Sequence, residues 1–486
     1  MTAGFDHTDC AAVFARFAGD DGVACLHTGG DLTFDALYRR AGALAGLIAT
    51  DRSPVLIWGH KQAEYLVAWW ACLLAARPLI PMESDLPVQR VRDVARMAGA
   101  GLMLAAGVDA PDAGVARIVV GDVAASTGPY VPVARDGGDT AYIMFSSGTS
   151  GQPKGIKVSY ANLNGFVRWL DTALLGDTGL QAVSGNVRYC FDVSLFELWT
   201  SWLRRIPISV LDHAEFINSR RYIARYAAHG VGLWVSTPSM AQVYLRDPQF
   251  SAENLPELET FLFCGEVLTK PLVAALQARF PTARIINTYG PTECTVAVTH
   301  VQITAAHMAD AAALPIGKPR AGCRLTLDGG AIVIAGPVVG PGYVGLPEKQ
   351  AAAFPKAGVY LTGDKGRMGA NGQWYFQGRG DRQVKIQGMR IDLNEVEDHL
   401  RNLPGVEAAC VDVHAVRDVP RGMNAYVVGA CDVAVLARAM ADVLPPALVP
   451  RFWFGCGDLA VNLNTKLDRV ALMAAARAGG VRHVHD

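Results

Sequence analysis

Apolar runs of strand length alternate with helical patterns in the first part of the chain, from Leu32 to about Val120. Residues 54–58 and 78–81 have the pattern of buried strands. Between them, residues 65–75 form an apolar stretch of helix length, too short to span a bilayer, so a buried helix is predicted there. This alternation predicts an α/β fold in which parallel sheets are covered by helices.

Two later segments with strand patterns end in polar turns. Residues 260–264 lead into Gly265-Glu266, and residues 284–287 lead into a turn that contains Tyr289 and Glu293. Ligands of open α/β sheets bind beyond the carboxyl ends of the strands, so both turns are candidate binding positions. Tyr289 offers a flat ring for a base, and Glu293 offers a hard oxygen ligand for Mg²⁺. An ordinary turn and a helix cap are the alternative interpretations.

The pattern changes from about Ala313. Short β-type runs separated by glycines predict a β-rich subdomain, and a charged, polar joint follows at residues 378–383. Beyond the joint, about a hundred residues carry their own strand and helix patterns, which predicts a separate small α+β domain. The expected organisation is a large N-terminal domain, residues 1–380, and a small C-terminal domain, residues 381–486.

Composition narrows the class of protein. With 486 residues, 51% of them hydrophobic and 18% charged, the chain can bury a large core in more than one folding unit. The net charge is −1 and the basic residues are dispersed, so neither nucleic acid nor a membrane is indicated as a partner. Ten cysteines stand singly and the N-terminus lacks a signal-peptide pattern, which favours a reduced, cytoplasmic protein.

A loop rich in glycine and hydroxyl side chains follows the apolar run at residues 141–145. Its glycines allow backbone N–H groups to surround an anion, and Lys154 adds a positive charge, so a phosphate cradle is predicted. The loop differs from the P-loop of nucleoside triphosphatases because Lys154 follows a proline and precedes Gly155. A solvated loop is the alternative. The segment is Ser146-Ser147-Gly148-Thr149-Ser150-Gly151-Gln152-Pro153-Lys154-Gly155.

Two charged residues outside these turns are ambiguous on local grounds. Asp192 lies in the apolar segment 188–199, just before Ser194 and Glu197, whose spacing matches a capping box at a helix start. A carboxylate in apolar surroundings needs a cation or several N–H donors, so Asp192 is either a cap or a ligand-binding group. Lys466 is either an ordinary solvated lysine or a mobile cation that domain closure brings to a distant site.

Taken together, six ordered motifs resemble the adenylate-forming superfamily, which includes acyl-CoA synthetases, luciferases and nonribosomal-peptide adenylation domains. The resemblance extends from Leu32 to Arg469. Residues 378–391 are similar to amino-acid adenylation domains, and residues 263–266 and 285–293 are similar to D-alanine–carrier-protein ligases. The six motifs are Ser146 to Gly155, Phe191-Asp192, Tyr289-Gly290-Pro291-Thr292-Glu293, Tyr360-Leu361-Thr362-Gly363-Asp364, Gly378-Arg379-Gly380-Asp381 and Asn464-Thr465-Lys466.

The resemblance implies a large adenylation domain, a small mobile C-terminal lid and a reaction in two half-steps. A carboxylate attacks the α-phosphate of ATP, with Mg²⁺ as cofactor, and a phosphopantetheine thiol then takes the acyl group. Neither a carrier domain nor a condensation domain is recognisable, so a separate carrier protein is the implied acceptor. An acyl- or aryl-CoA ligase of the same fold is the alternative, and a binding protein that has lost catalysis is a third possibility.

By the same resemblance, Lys466 bridges the substrate carboxylate and the α-phosphate, Glu293 binds Mg²⁺, and Asp381 is the hinge of the lid. Tyr289 is expected to stack on adenine and Asp364 to accept hydrogen bonds from the ribose hydroxyls. The implied ATP-binding residues are Ser146, Ser147, Gly148, Thr149, Ser150, Gly151, Lys154, Asn287, Thr288, Tyr289, Gly290, Thr292, Asp364 and Arg379.

Asp192 is the residue that distinguishes an amino-acid substrate from a simple acid, because in the amino-acid branch it pairs with the α-ammonium group. The remaining residues at the specificity positions are apolar or small and carry no second charge, which favours a small neutral amino acid such as alanine, glycine or proline. These residues are Val193, Phe196, Ser236, Leu262, Cys264, Thr288, Val296 and Ala297. The motif Asn464-Thr465-Lys466 departs from the usual Asn-Gly-Lys. Stereoisomer, carrier and pathway are left open by the sequence.

Overall fold

The computed structural model describes residues 8–107, 109–126, 128–146, 153–176, 178–210, 219–379, 382–406, 408–416, 419–429, 432–456, 469–479 and 483–485. The chain divides into two compact units. The first comprises Met1–Ser84, Ala95–Phe145 and Gly155–Gly380, and the second comprises Asp85–Val94, Ser146–Lys154 and Asp381–Asp486. The single division predicted at residue 380 stays a prediction. Within the described ranges, no helix is both long enough and apolar enough to cross a membrane.

Fourteen α-helices lie in the described part of the chain. A π-helix, Leu170–Leu175, continues the fifth of them. The helices are α1 (Cys10–Ala15), α2 (Phe34–Ile48), α3 (Ala63–Leu74), α4 (Val88–Ala98), α5 (Tyr160–Trp169), α6 (Ser194–Arg204), α7 (Ser219–Ala228), α8 (Pro238–Tyr244), α9 (Lys270–Arg279), α10 (Ala305–Ala309), α11 (Pro347–Ala353), α12 (Leu393–Arg401), α13 (Val433–Ala441) and α14 (Arg469–Ala478).

Among the same residues there are twenty-six β-strands. The first thirteen are β1 (Val23–Leu26), β2 (Leu32–Thr33), β3 (Val55–Gly59), β4 (Leu79–Glu83), β5 (Leu102–Ala105), β6 (Ala116–Val119), β7 (Thr140–Ser146), β8 (Lys154–Ser159), β9 (Ala182–Gly185), β10 (Ile208–Val210), β11 (Val231–Ser236), β12 (Thr260–Phe263) and β13 (Arg284–Tyr289). The others are β14 (Thr299–Gln302), β15 (Lys318–Pro319), β16 (Arg324–Asp328), β17 (Ala331–Ala335), β18 (Gly342–Tyr343), β19 (Val359–Met368), β20 (Trp374–Arg379), β21 (Gln383–Ile386), β22 (Met389–Asp392), β23 (Ala408–Val416), β24 (Val419–Val428), β25 (Phe452–Cys456) and β26 (His483–Val484).

Two large, mainly parallel sheets form the frame of the first unit. The nine-stranded sheet has the order β15-β14-β13-β12-β11-β9-β10-β1-β2, and β11, β12 and β13 are parallel to one another. The seven-stranded sheet has the order β18-β8-β7-β4-β3-β5-β6, with β3 parallel to both β4 and β5. The α/β prediction is confirmed.

Helix α3 is the buried helix that its apolar sequence predicts, since eleven of its twelve residues are buried. It belongs to the largest hydrophobic core, to which α2, α5, α6 and strands of both large sheets also contribute. Within this core, the Trp70 ring of α3 contacts the rings of Trp199 and Trp202 on α6. This packing fixes α6, and with it the segment that precedes α6.

A four-stranded antiparallel sheet, β16-β17-β19-β20, forms the β-rich subdomain predicted after Ala313. Its strands β19 and β20 pair so that Asp364 lies opposite Arg379. The second unit has the β21–β22 hairpin and a four-stranded sheet, β23-β24-β25-β26, with its own core of residues from α12, α13 and these strands. That unit therefore contains the α+β elements predicted for the C-terminal part of the chain.

Candidate active site

Three neighbouring parallel strands end at one edge of the nine-stranded sheet. Ser236 at the end of β11 pairs with Phe263 at the end of β12, and Phe263 pairs with Asn287 on β13. The residues that follow, Cys264 and Thr288, therefore emerge at the same edge. This is the position at which open α/β sheets bind ligands, as the sequence predicts for both turns.

Six of the residues predicted to contact the substrate belong to one hydrophobic core, and we refer to them as the apolar cluster. The thiol of Cys264 lies 4.0 Å from the carbonyl oxygen of Val296 within it. Asp192 is 8% exposed and immediately precedes the cluster in the chain. The apolar cluster consists of Val193, Phe196, Leu262, Cys264, Val296 and Ala297.

The backbone is strained at Val296 of the apolar cluster and at the preceding Thr295, which have φ of 68° and 59°. β-Branched residues rarely adopt this left-handed conformation, and it persists only where the surroundings enforce it. The Thr295 hydroxyl donates to the carbonyl of Val338 at 2.8 Å. The chain also passes so close to Gly290 that a Cβ there would lie 2.5 Å from the Cα of Ala297. Gly290 is therefore needed for the close approach of these two segments.

Three other predicted site residues donate side-chain hydrogen bonds to backbone carbonyl groups. The hydroxyl of Thr288 donates to Phe263 at 2.8 Å, and the amide of Asn287 donates to Pro315 at 2.8 Å. The hydroxyl of Ser236 donates to its neighbour Thr237 at 2.9 Å. It also accepts from the Trp234 indole, which belongs to a separate core. Ser236 is thus not part of the apolar cluster, and the ligand roles of all three residues stay predictions.

A second group of predicted site residues forms a direct polar cluster, which we call the Asp364 cluster: Tyr289, Asp364 and Arg379. The Tyr289 hydroxyl donates to the Asp364 carboxylate at 2.6 Å, and Arg379 forms an ion pair with its other oxygen. Arg379 also donates to the Thr362 carbonyl at 3.2 Å, and the backbone N–H of Asp364 donates to the Thr362 hydroxyl at 2.9 Å. Burial, and then the nearby Asp364 carboxylate, raise the pKa of Tyr289 well above its usual value, so its hydroxyl keeps its proton.

Glu293 lies in a 3₁₀ turn, Thr292–Cys294, and is 1% exposed. Its carboxylate accepts a hydrogen bond from the Tyr343 hydroxyl at 2.9 Å, and its backbone carbonyl accepts from the Gly340 N–H at 2.9 Å. No group of three or more His, Cys, Asp or Glu residues among those described could hold a metal ion. A single carboxylate fits Mg²⁺ that is bound mainly by phosphates and water, which is the usual arrangement for this ion.

The predicted phosphate loop is described only at its two ends. Ser146 ends β7 and Lys154, which is buried, begins β8 in the seven-stranded sheet. The other predicted residues of this loop, together with the predicted hinge and the predicted catalytic lysine, lie outside the described residues: Ser147, Gly148, Thr149, Ser150, Gly151, Asp381 and Lys466.

The capping box predicted at the start of α6 is wrong. Val193 is the residue that caps α6, without a side-chain hydrogen bond, and the Glu197 carboxylate does not turn back to the helix start. It accepts hydrogen bonds from the Ser184 hydroxyl at 2.7 Å and from the backbone N–H groups of Asn186 and Val187 at 2.8 and 3.1 Å. A fully buried carboxylate has lost its hydration, so these three hydrogen-bond donors replace the water that an exposed capping side chain would keep. In the sequence, the indication of this buried role is a single acidic residue, Glu197, within the apolar run of α6.

A family model described as AMP-binding enzyme matches residues 12–344. The chain belongs to the AMP-binding enzyme family. It is 32% identical over 492 residues to a D-alanine–D-alanyl carrier protein ligase of Bacillus anthracis, and the alignment covers 94% of this chain and 97% of that protein. The chain is therefore an AMP-forming ligase that uses ATP.

Solved structures of adenylation domains share the fold of this family member. A holo nonribosomal peptide synthetase protein with adenylation and PCP domains, bound to a vinylsulfonamide inhibitor, superposes with a TM-score of 0.84 at 23% identity. The match covers 96% of this chain and 84% of that one. A Vibrio cholerae adenylation domain in complex with glycyl-adenosine-5'-phosphate superposes with a TM-score of 0.81 at 20% identity, covering 98% of both chains.

Proposed function

We propose that this AMP-forming ligase activates a small neutral amino acid as the aminoacyl-AMP and transfers it to the phosphopantetheine thiol of a separate carrier protein. The observation that carries the proposal is a carboxylate, Asp192, held at 8% exposure next to the apolar cluster. None of the six side chains of that cluster is charged. An α-ammonium group can pair with the carboxylate while a short apolar side chain contacts the cluster.

The Asp364 cluster is suited to the sugar of the nucleotide. Tyr289 and Arg379 fix the Asp364 carboxylate from two sides, so it can accept hydrogen bonds from two ribose hydroxyls without first reorganising. We assign the phosphates to the loop from Ser146 to Lys154, because phosphoryl transfer depends on positioning and on neutralising charge. Glu293 would supply an oxygen ligand to Mg²⁺, which neutralises phosphate charge when it is bound.

In the first half-step, a carboxylate oxygen of the amino acid attacks the α-phosphorus of ATP, and the bond to the leaving pyrophosphate breaks. In the second, the carrier thiol loses its proton and attacks the acyl carbon, and AMP leaves with the electron pair of the acyl–oxygen bond. Lys466, assigned from the sequence resemblance, would balance the negative charge that develops in the first half-step. We expect Lys466→Ala to reduce adenylation at least about a hundredfold and thioester formation far less, since one charge in a dry site contributes several kcal/mol. Equal losses in single-turnover assays of the two half-steps would contradict this role.

Amino-acid-dependent exchange of labelled pyrophosphate into ATP tests the function directly. The panel contains D-alanine, L-alanine, glycine and proline, with phenylalanine and glutamate as bulky and charged controls. Exchange with a small neutral amino acid, followed by loading of a phosphopantetheinylated carrier protein, is the expected result. No exchange with any amino acid would refute the proposal, and consumption of CoA with a simple carboxylic acid would assign the chain to the acyl-CoA ligases instead.

A further inference from the structure

A buried lysine, Lys61, contacts the segment of chain that precedes Asp192. Lys61 follows β3 and is 1% exposed, and its ammonium group donates to the backbone carbonyl of Val187. The same ammonium lies 3.9 Å from the centre of the Tyr189 ring. Both contacts are to residues that shortly precede Asp192 in the chain. Burial lowers the pKa of Lys61, whereas the nearby carboxylates of Glu197 and Glu83 act in the opposite direction, so the carboxylates and the two contacts favour the charged ammonium.

Glu197 holds the same segment from the side of α6. Its carboxylate accepts hydrogen bonds from the backbone N–H groups of Asn186 and Val187 and from the Ser184 hydroxyl. Lys61 and Glu197 attract each other electrostatically, and this attraction partly offsets the cost of burying both charges. Lys61 and Glu197 therefore satisfy opposite sides of one peptide segment, one binding its carbonyl oxygen and the other its amide hydrogens.

The network continues to β11. The Asn186 side chain donates to the carbonyl of Val235 at 2.9 Å, and the N–H of Val235 donates to the Ser184 hydroxyl at 2.9 Å. The side-chain amide oxygen of Asn186 accepts hydrogen bonds from the hydroxyls of Tyr222 and Tyr226 on α7. Residues 184–187 are thus hydrogen-bonded to strand β11, which ends at the candidate site, and to helices α6 and α7. We call Lys61, Ser184, Asn186, Val187 and Glu197 the Glu197 network.

We infer that Lys61 and Glu197 are positioning residues for the amino-acid substrate: they fix residues 184–187 and thereby set the place of Asp192 relative to the apolar cluster. The inference rests on the proposed function, because it assigns the substrate ammonium to Asp192. Glu197 is adjacent in sequence to Phe196, so α6 carries one residue of the network and one of the apolar cluster. Asp192 lies five residues beyond Val187, and the chain between them passes over the Lys61 ammonium at Tyr189.

The groups that act on Glu197 come from several elements. Lys61 stabilises the carboxylate, and so do the donors of Ser184, Asn186 and Val187. Glu83, from the end of β4, also acts on Lys61, as does the thiol of Cys25 on β1. The buried phenols of Tyr189 and Tyr226 adjoin the carboxylate and stay protonated, because burial raises their pKa well above the usual value. Lys61 is therefore the cation that this acid depends on, and its removal should disturb the segment most.

The test compares Lys61→Met with Arg77→Met in the pyrophosphate-exchange assay. Arg77 is a matched control: it is also a buried cation that donates to backbone carbonyls, those of Ser53 and Ile48, outside the Glu197 network. We expect Lys61→Met to raise KM for the amino acid about tenfold while KM for ATP changes less than twofold. Lys61→Arg keeps a cation in place and should stay within about threefold of the wild type. Arg77→Met should lower Tm without changing either KM.

The inference is overturned if folded Lys61→Met keeps the wild-type KM for the amino acid, or if both KM values rise together. Should Lys61→Met fail to fold, Glu197→Gln is the second variant, with an expected rise of about threefold in the amino-acid KM alone. If the wild-type protein shows no exchange with any amino acid, the proposed function has failed by itself. Hydrogen exchange of residues 184–193 then decides the positioning role: faster exchange in Lys61→Met than in Arg77→Met supports it, and equal exchange refutes it.

Discussion

The Asp364 cluster and the apolar cluster, the two proposed binding surfaces, are held in place in different ways. In the Asp364 cluster, polar side chains bond one another directly: the Tyr289 hydroxyl and the Asp364 carboxylate are 75 positions apart in the chain and 2.6 Å apart in space. The residues of the apolar cluster belong to one hydrophobic core, and Asp192, which precedes Val193 in the chain, follows a segment hydrogen-bonded to buried groups. The first proposed surface is fixed by its own hydrogen bonds, whereas the second is supported by buried residues that are not predicted to contact the ligand.

The difference follows from the chemistry of the two proposed ligands. Ribose offers hydroxyls in a fixed geometry, so a pre-oriented carboxylate is sufficient to bind it. A small amino acid offers one ammonium group and little apolar surface, so its recognition depends on how accurately one carboxylate is placed. Substitutions in the Asp364 cluster should therefore affect ATP alone, whereas substitutions at or behind Asp192 should affect the amino acid alone.

The largest effect is expected from Asp192→Asn. The amide keeps the shape of the side chain but removes the charge that would pair with the ammonium group, so kcat/KM for the amino acid should fall about 10²–10³-fold. KM for ATP should stay within about twofold. Initial rates of pyrophosphate exchange, measured over both substrates, give the two constants. Loss of ATP binding to the same extent would mean that Asp192 belongs to both surfaces, and the contrast drawn above would be wrong.

Asp364→Asn tests the opposite side of the comparison. The variant removes the carboxylate that forms the ion pair with Arg379, and the remaining amide is a weaker acceptor for ribose. We expect KM for ATP to rise about 10–100-fold with little change in KM for the amino acid. Thermal unfolding of the variant checks that the β19–β20 pair is intact. A rise in the amino-acid KM of the same size would show that the two surfaces are coupled.

The sequence was sufficient to predict the α/β frame of the molecule, and all residues of both clusters were named from it as candidate site residues. Strand β12 is largely apolar, and β13 has apolar Ile285 and Ile286 between polar residues. Both strands lead into turn residues, and this pattern indicates both the strand and the edge where the polar residues emerge. The motif resemblance then placed Tyr289, Asp364 and Arg379 in one site, although no local pattern links residues so distant in the chain. Their mutual hydrogen bonds became visible only in the structure.

Sequence reasoning failed where a side chain acts through tertiary contacts. Ser194 and Glu197 match a capping box by spacing, but burial of α6 on all sides brings the Glu197 carboxylate to the backbone of residues 186 and 187 instead. Lys61 gave no signal, because a single lysine after a strand usually lies in solvent. Ser236 was named a specificity residue by the family resemblance alone, and the hydrogen bonds of its hydroxyl with Trp234 and Thr237 could not be foreseen from the sequence; its contact with the substrate stays a prediction.

The pH dependence of stability tests the Glu197 network, which holds the segment that precedes Asp192. Burial raises the pKa of Glu197 to about 7, from an ordinary value of 4.5. The folded protein therefore binds more protons at Glu197 than the unfolded chain does between these values, so this group's contribution to stability decreases as pH rises from about 4.5 to 7. Relative to Glu197→Gln, the free energy of unfolding of the wild-type protein should decrease by roughly 1–3 kcal/mol over that pH range. Urea unfolding of both proteins at pH 5 and pH 7.5 gives the difference, and identical pH dependence would show that Glu197 is ionised at both.

A smaller effect on ATP than that of Asp364→Asn is expected from Tyr289→Phe, which isolates one hydrogen bond of the Asp364 cluster. The ring remains in place, so packing against Phe376 and any contact with the base are retained, and only the donor to the Asp364 carboxylate is lost. Because Arg379 still holds that carboxylate from its other oxygen, KM for ATP should rise only about fivefold, and KM for the amino acid should not change. In the double variant with Asp364→Asn, the tyrosine substitution should add less than it does alone, since its acceptor has already been weakened. Full additivity of the two effects would show that Tyr289 acts on ATP directly and does not act by orienting Asp364.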